Sequence, residues 1–177
     1  MFETGSLVVY GTTGVCRIQE ITTPNISGVP AERLYYVLKP CFQDGGTIFT
    51  PVDNEKTVIR AIMTKDEAER LISEMPEIEE LWVNDNRLRD KLYRESIRSA
   101  DPREWVKIIK TSFARNKERV AQGKKATATD ERFFKTAETY LYTELSLSLD
   151  IPLETVGVYI KDRIGKDYSI SEEEMEG

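Results

Sequence analysis

The chain contains no histidine. That removes histidine-dependent nucleophilic triads, the usual catalytic zinc sites and the commonest general base. Cys16 and Cys41 lie far apart in strand-like contexts without a Cys-x-x-Cys spacing, so buried thiols are expected rather than a disulfide or a metal site. Glu79, Glu80, Asp85 and Asp90 are close enough in sequence to pair for acid–base work, but they sit in acidic helix surface without a recognisable partner. Gly11-Thr12-Thr13-Gly14 has some likeness to a phosphate loop. It lacks the Gly-Lys-Ser/Thr ending and leads into a strand, so a plain turn is the better account. No catalytic residue, metal site or cofactor is expected.

The chemistry that remains is charge and aromatic surface. A net charge of −6 hides an asymmetry: residues 84–135 carry 15 Lys and Arg against 8 Asp and Glu, a local +7 that leaves −13 elsewhere. An acidic chain with a local basic field can still meet phosphate, although solvated helix faces give the same composition. Within or beside this stretch lie Arg87, Arg89, Lys91, Arg115, Lys124, Lys125 and Arg132, together with Trp82 and Trp105.

These side chains need elements to hold them. The central one is a helix from Asp101 to Gly123: Asp101 caps it, Pro102 presets its first turn, Glu104 can complete a capping box, and Gly123 stops it. Trp105, Ile108, Ile109, Ser112 and Phe113 recur at three and four and form its core face. Lys107, Lys110, Arg115, Lys117 and Arg119 are expected on its other faces. Before it, Thr64-Lys65-Asp66-Glu67 is a capping box for a helix to Met75, and Asn84-Asp85-Asn86 offers a cap for a helix from Arg87 to Ser99. After it, Thr129 is expected to cap a helix to Leu149, and a last helix runs from Asp150 to Ile164.

The first 62 residues have a different character. Leu7–Tyr10, Val15–Ile21, Leu34–Lys39, Thr47–Thr50 and Thr57–Arg60 read as five short strands, with Asp44-Gly45-Gly46 as a hairpin turn. The expected fold is therefore α+β: a small five-stranded Tudor/SH3-like β-barrel over residues 1–62, followed by an all-α helical bundle over 63–168. Residues 169–177 form an acidic tail expected to be disordered. No apolar run is long enough to span a bilayer, and Met1-Phe2-Glu3-Thr4-Gly5 has no basic n-region, so a cytoplasmic protein without a signal peptide is expected.

Gly5 to Ile18, Tyr35 to Pro40 and Thr47 to Val52 together resemble the RNA-polymerase-interacting module of the CarD family, which is shared with transcription-repair coupling factor. The likeness extends to Glu104–Lys110 and Ala114–Arg119 in the helical part. The chain has no Walker A loop for a helicase, so the stand-alone CarD type is the expected one. The resemblance implies a bacterial, non-enzymatic transcription regulator. Its first unit would dock on the polymerase β subunit by strand pairing, and its helical unit would contact promoter DNA at the upstream edge of the bubble, altering open-complex stability.

The resemblance also assigns residues, unevenly. Arg89, Lys91 and Arg115 fall at positions of DNA-facing cations, and Arg87, Lys124, Lys125 and Arg132 join them as candidates. Glu131 stands near a position where relatives often carry lysine. The wedge tryptophan expected from the family falls on Asn86 here, which leaves Trp82 as either a displaced wedge or a packing residue between the units; Trp105 belongs to the core. Polymerase-contacting arginines of relatives appear as Pro24 and Phe49, within an expected edge of Thr22, Thr23, Pro24, Ile48, Phe49 and Thr50. Phe49 buried in the barrel core is the competing expectation. A protein-interaction adaptor with no direct DNA contact is the alternative function; neither a membrane nor a small-molecule substrate is implied.

Overall fold

In the computed structural model, Tyr10 O accepts from Thr13 N, and Gly14 follows at φ +88 to open the second strand. A side chain is rarely tolerated at that angle. The turn joins β1 (Leu7–Tyr10) to β2 (Gly14–Thr22), and β3 (Tyr35–Pro40), β4 (Ile48–Pro51) and β5 (Ile59–Ala61) complete an antiparallel sheet in the order β4-β3-β2-β1-β5. The structure describes every residue except Thr12, Gln43, Asp167 and 169–177, so the expected acidic tail lies outside the described residues. The chain divides into two units, Met1–Ile62 and Met63–Gly177.

The sheet is not a closed barrel. Its end strands β4 and β5 pair with β3 and β1 respectively and not with each other. A count of five strands does not by itself give closure, which needs the tilt and register stagger that bring the end strands together. One face carries a core of Val8, Cys16, Ile18, Tyr36 and Leu38, with Ile21 and Ile48 packed against it. The uneven alternation of β2 has a local cause. Ile18 pairs with Leu38 and Glu20 with Val37, so Gln19 is an extra residue that resets which side chains face the core. Cys16 is buried, which pushes its thiol up to about 12, and Cys41 is half-buried; both are free thiols.

The second unit is helical: α1 (Lys65–Glu74), a 3-10 turn (Met75–Glu77), α2 (Asn86–Arg98), α3 (Pro102–Ala121), α4 (Ala128–Leu149), a 3-10 turn (Leu153–Thr155) and α5 (Val156–Ile164). Thr64 and Glu67 form the expected capping box, and Asp85 and Asp101 cap α2 and α3. At α3 the box is incomplete. The Asp101 amide donates instead to Ser99 Oγ at 3.1 Å, and Glu104 turns to Ser96 and Lys107. The cap of α4 is Thr127 rather than Thr129, because the Thr127 hydroxyl both accepts from the Asp130 amide and donates to its carboxylate. Trp105 is fully buried, edge-on to Tyr140 with 5.6 Å between ring centroids.

Lys110 and Asp130 form polar centres inside this unit. Lys110, expected outside, is buried; its ammonium donates to the carbonyls of Met75 (2.9 Å), Pro76 (3.2 Å) and Ile78 (2.5 Å). It satisfies the orphan carbonyls left where the chain stops being helical after α1. Burial pulls its pKa below the ordinary lysine value, and Glu80 works the other way.

The second centre is Asp130, buried on the first turn of α4. Its Oδ1 accepts from Tyr93 of α2 at 3.2 Å, and Oδ2 accepts from Arg115 of α3 at 3.0 Å and from Thr127 at 2.8 Å. Arg89 of α2 adds an ion pair at 3.6 Å, too long for a hydrogen bond. Burial pushes the Tyr93 phenol up to about 12, so it keeps the proton that it donates. One carboxylate thus ties three helices.

Removing that carboxylate strands two guanidinium groups. Asp130→Ala is expected to cost about 3–5 kcal/mol in a urea unfolding series; a loss below about 1 kcal/mol would mean that the centre does not hold the helices together. Lys110→Met keeps the stem but removes the donor from three carbonyls. It is expected to lower stability by about 1–3 kcal/mol in the same assay, and an unchanged unfolding midpoint would contradict that role.

Candidate functional site

The segment between the 3-10 turn at Met75–Glu77 and α2 has no regular structure, and it carries Trp82 with 62 % of the residue exposed. A large aromatic left in solvent is informative where a buried one is not. The backbone on both sides of Trp82 is tied inward. The Leu81 amide donates to Thr111 Oγ1 at 2.7 Å, and Thr111 in turn donates to Lys107 O at 2.6 Å. The Val83 carbonyl accepts from Arg89 Nη1 at 3.3 Å. The indole is therefore exposed on a segment whose neighbouring peptide groups are fixed to α3 and α2. Asn86, at the expected wedge position, is the first residue of α2, and its side-chain oxygen accepts from Arg89 Nη2 at 2.8 Å.

The candidate cations separate into two groups. Arg89, expected to face DNA, is 3 % exposed. Its guanidinium is turned inward onto Val83, Asn86 and Asp130 because that face of α2 packs on its neighbours. Arg115, the other expected DNA-facing residue on α3, is half-buried and bound to Asp130. Both are structural in this fold, since burying either guanidinium requires the carboxylate that they share.

Arg87, Lys91, Lys124, Lys125 and Arg132 remain on the surface. Along α2, Arg87 and Lys91 continue into Arg94 and Arg98, all exposed and spaced by four, three and four residues. That spacing makes a single stripe on one helical face. Arg94 and Arg98 were missed as site residues although the same spacing signals them. Arg132 of α4 lies beside the stripe, since Asp90 binds it at 3.5 Å and Arg94 at 3.0 Å. Lys91 has Glu95 at 3.8 Å. Such exposed pairs contribute little energy and are readily exchanged for phosphate. Lys124 and Lys125 lie in the loop that follows α3.

In the first unit, β4 is an edge strand: among the described residues β3 lies on one side of it and no strand on the other. Phe49 points away from the core and is 50 % exposed, so the expectation of a buried Phe49 is overturned. Ile48 packs against the core, and Thr50 is buried, accepting from Asn54 Nδ2 at 2.9 Å. The six expected edge residues do not form one edge. Thr22 ends β2 and pairs with Tyr35, which pairs in turn with Pro51 of β4. Thr22 is therefore separated from β4 by β3, and Thr23 and Pro24 follow the end of β2 outside any strand.

Among the described residues, no three His, Cys, Asp or Glu side chains gather as metal ligands, and no helix is long and apolar enough to cross a membrane. Comparison with curated proteins finds no match to the chain. Comparison with family models finds one, the CarD-like/TRCF RID domain, over residues 2–63, which spans the whole five-stranded sheet. That domain is an RNA-polymerase-interacting, protein-binding module. Residues 2–63 thus form a CarD-like/TRCF RID domain, and the family model does not extend to the helical unit.

Proposed function

We propose that this protein is a non-enzymatic transcription regulator of a bacterial cytoplasm. Its first unit binds the β subunit of RNA polymerase, and its helical unit contacts promoter DNA at the upstream edge of the bubble. The observation that carries the DNA half is Trp82, an exposed indole on a tied segment that leads directly into the cationic stripe of α2. An apolar wedge lowers the cost of holding an unstacked step, while the neighbouring cations supply affinity that does not depend on base sequence. Together they lengthen the life of the open complex without covalent chemistry. The polymerase half is supported by the family match and by the open edge of β4, where a partner strand can add to the sheet. Phe49 serves as the exposed aromatic anchor there, in the place of a charged one.

In this account Arg87, Lys91, Arg94, Arg98 and Arg132 meet phosphate, with Lys124 and Lys125 as further candidates. Arg89 and Arg115 act from within. The test is the open-complex lifetime on a linear promoter with cognate polymerase. Intact protein lengthens it, and Trp82→Ala abolishes most of that effect while leaving polymerase capture unchanged. Replacing Arg87, Lys91, Arg94 and Arg98 by alanine reduces the slope of log affinity against log salt by up to about 3–4. A lifetime unaffected by intact protein, together with DNA association that shows no salt dependence, would contradict the proposal and favour an adaptor without DNA contact.

A further inference from the structure

Trp82 is exposed, yet its segment is tied to buried groups on two helices. The tie has a defined polarity. Thr111 commits its own proton to Lys107 O, so its oxygen is left as an acceptor for the Leu81 amide. Arg89 donates one arm to the Val83 carbonyl and the other to Asn86, while its charge rests against Asp130. Lys110, adjacent to Thr111 on α3, holds the Ile78 carbonyl upstream. The peptide groups on both sides of the indole are thus engaged, although the segment has no ladder or helix of its own.

A purely structural loop has no need of such investment around a solvent-facing indole. Fixing the backbone beforehand removes an ordering cost that binding would otherwise meet. We propose that Arg89 and Thr111 are positioning residues, holding the Trp82 segment in one exposed conformation so that the indole meets nucleic acid already ordered. This rests on the reading of Trp82 as a DNA wedge and adds to it a mechanism through residues that touch no DNA. Arg89 acts in this way through its guanidinium fork, which a lysine cannot reproduce at two acceptors.

The test uses the full chain labelled with 5-fluorotryptophan, whose two tryptophans give two fluorine resonances assigned by Trp82→Phe. The variants are Thr111→Val, which keeps the shape but removes the acceptor, and Arg89→Lys, which keeps the charge but loses the fork. In both, the Trp82 resonance is expected to narrow at least about twofold and shift toward that of the free amino acid, while the buried Trp105 resonance stays in place. Affinity for a premelted fork is expected to fall by about 3–10-fold, and affinity for intact duplex by less than about twofold. If Arg89→Lys does not fold, Thr111→Val decides alone.

A Trp82 resonance identical to wild type in the folded variants would overturn the inference. So would unchanged fork binding by a variant whose resonance has narrowed. Failure of the underlying reading looks different: Trp82→Ala would then bind the fork as wild type does. The narrowing in Thr111→Val would still establish the tie, and the clause that assigns its purpose to nucleic acid would fall.

Discussion

The meeting of α2, α3 and α4 depends on one buried carboxylate. Asp130 receives donors from Tyr93 on α2, Arg115 on α3 and Thr127 at the head of its own helix, and it balances Arg89 besides. A buried carboxylate with fewer donors is unstable against its own desolvation, and a buried Arg89 without it is worse. The arrangement is a positive cluster closed around a single anion. Its consequence for function is indirect: the same guanidinium that leans on Asp130 reaches Val83 and fixes one end of the exposed tryptophan segment.

The long helix α3 has a double duty. Trp105, Ile108 and Ile109 fill the core, while Lys110 and Thr111 on its next turn bind the backbone of residues 75–81. One face packs, and the polar residues beside it hold a segment that would otherwise have no hydrogen-bond partners. Trp82 and the α2 stripe lie at the surface, and the residues bonded to the backbone on either side of Trp82, Thr111 and Arg89, are buried. In the first unit the same division appears on a smaller scale. Thr50 and Ile48 seat β4 while Phe49 faces outward from its open side.

Much of this was legible in the residues. Helix starts were marked by Thr64, by Asn84-Asp85-Asn86 and by Asp101, where short polar side chains can accept amide protons over short sequence distances, and all five strand regions were visible to within about two residues. Long-range polar pairing was not legible. Periodicity placed Lys110 and Arg115 off the apolar stripe but could not show that they meet carbonyls and a carboxylate distant in sequence. Arg89 was assigned to DNA by resemblance alone; it is buried here because it lies on another face of α2 from Arg87 and Lys91. The barrel expectation failed because strand count does not determine closure; Thr22–Pro24 failed as edge residues because strand order was unknown.

The central claim is that the indole at position 82 meets DNA at the upstream edge of the bubble. The most direct measurement replaces Trp82 with a photoreactive benzoylphenylalanine and maps crosslinks in an open complex with cognate polymerase. The account predicts crosslinks to promoter DNA within one or two nucleotides of that edge, absent when the promoter is kept double-stranded. Crosslinks confined to polymerase, or spread evenly along the duplex, would contradict it.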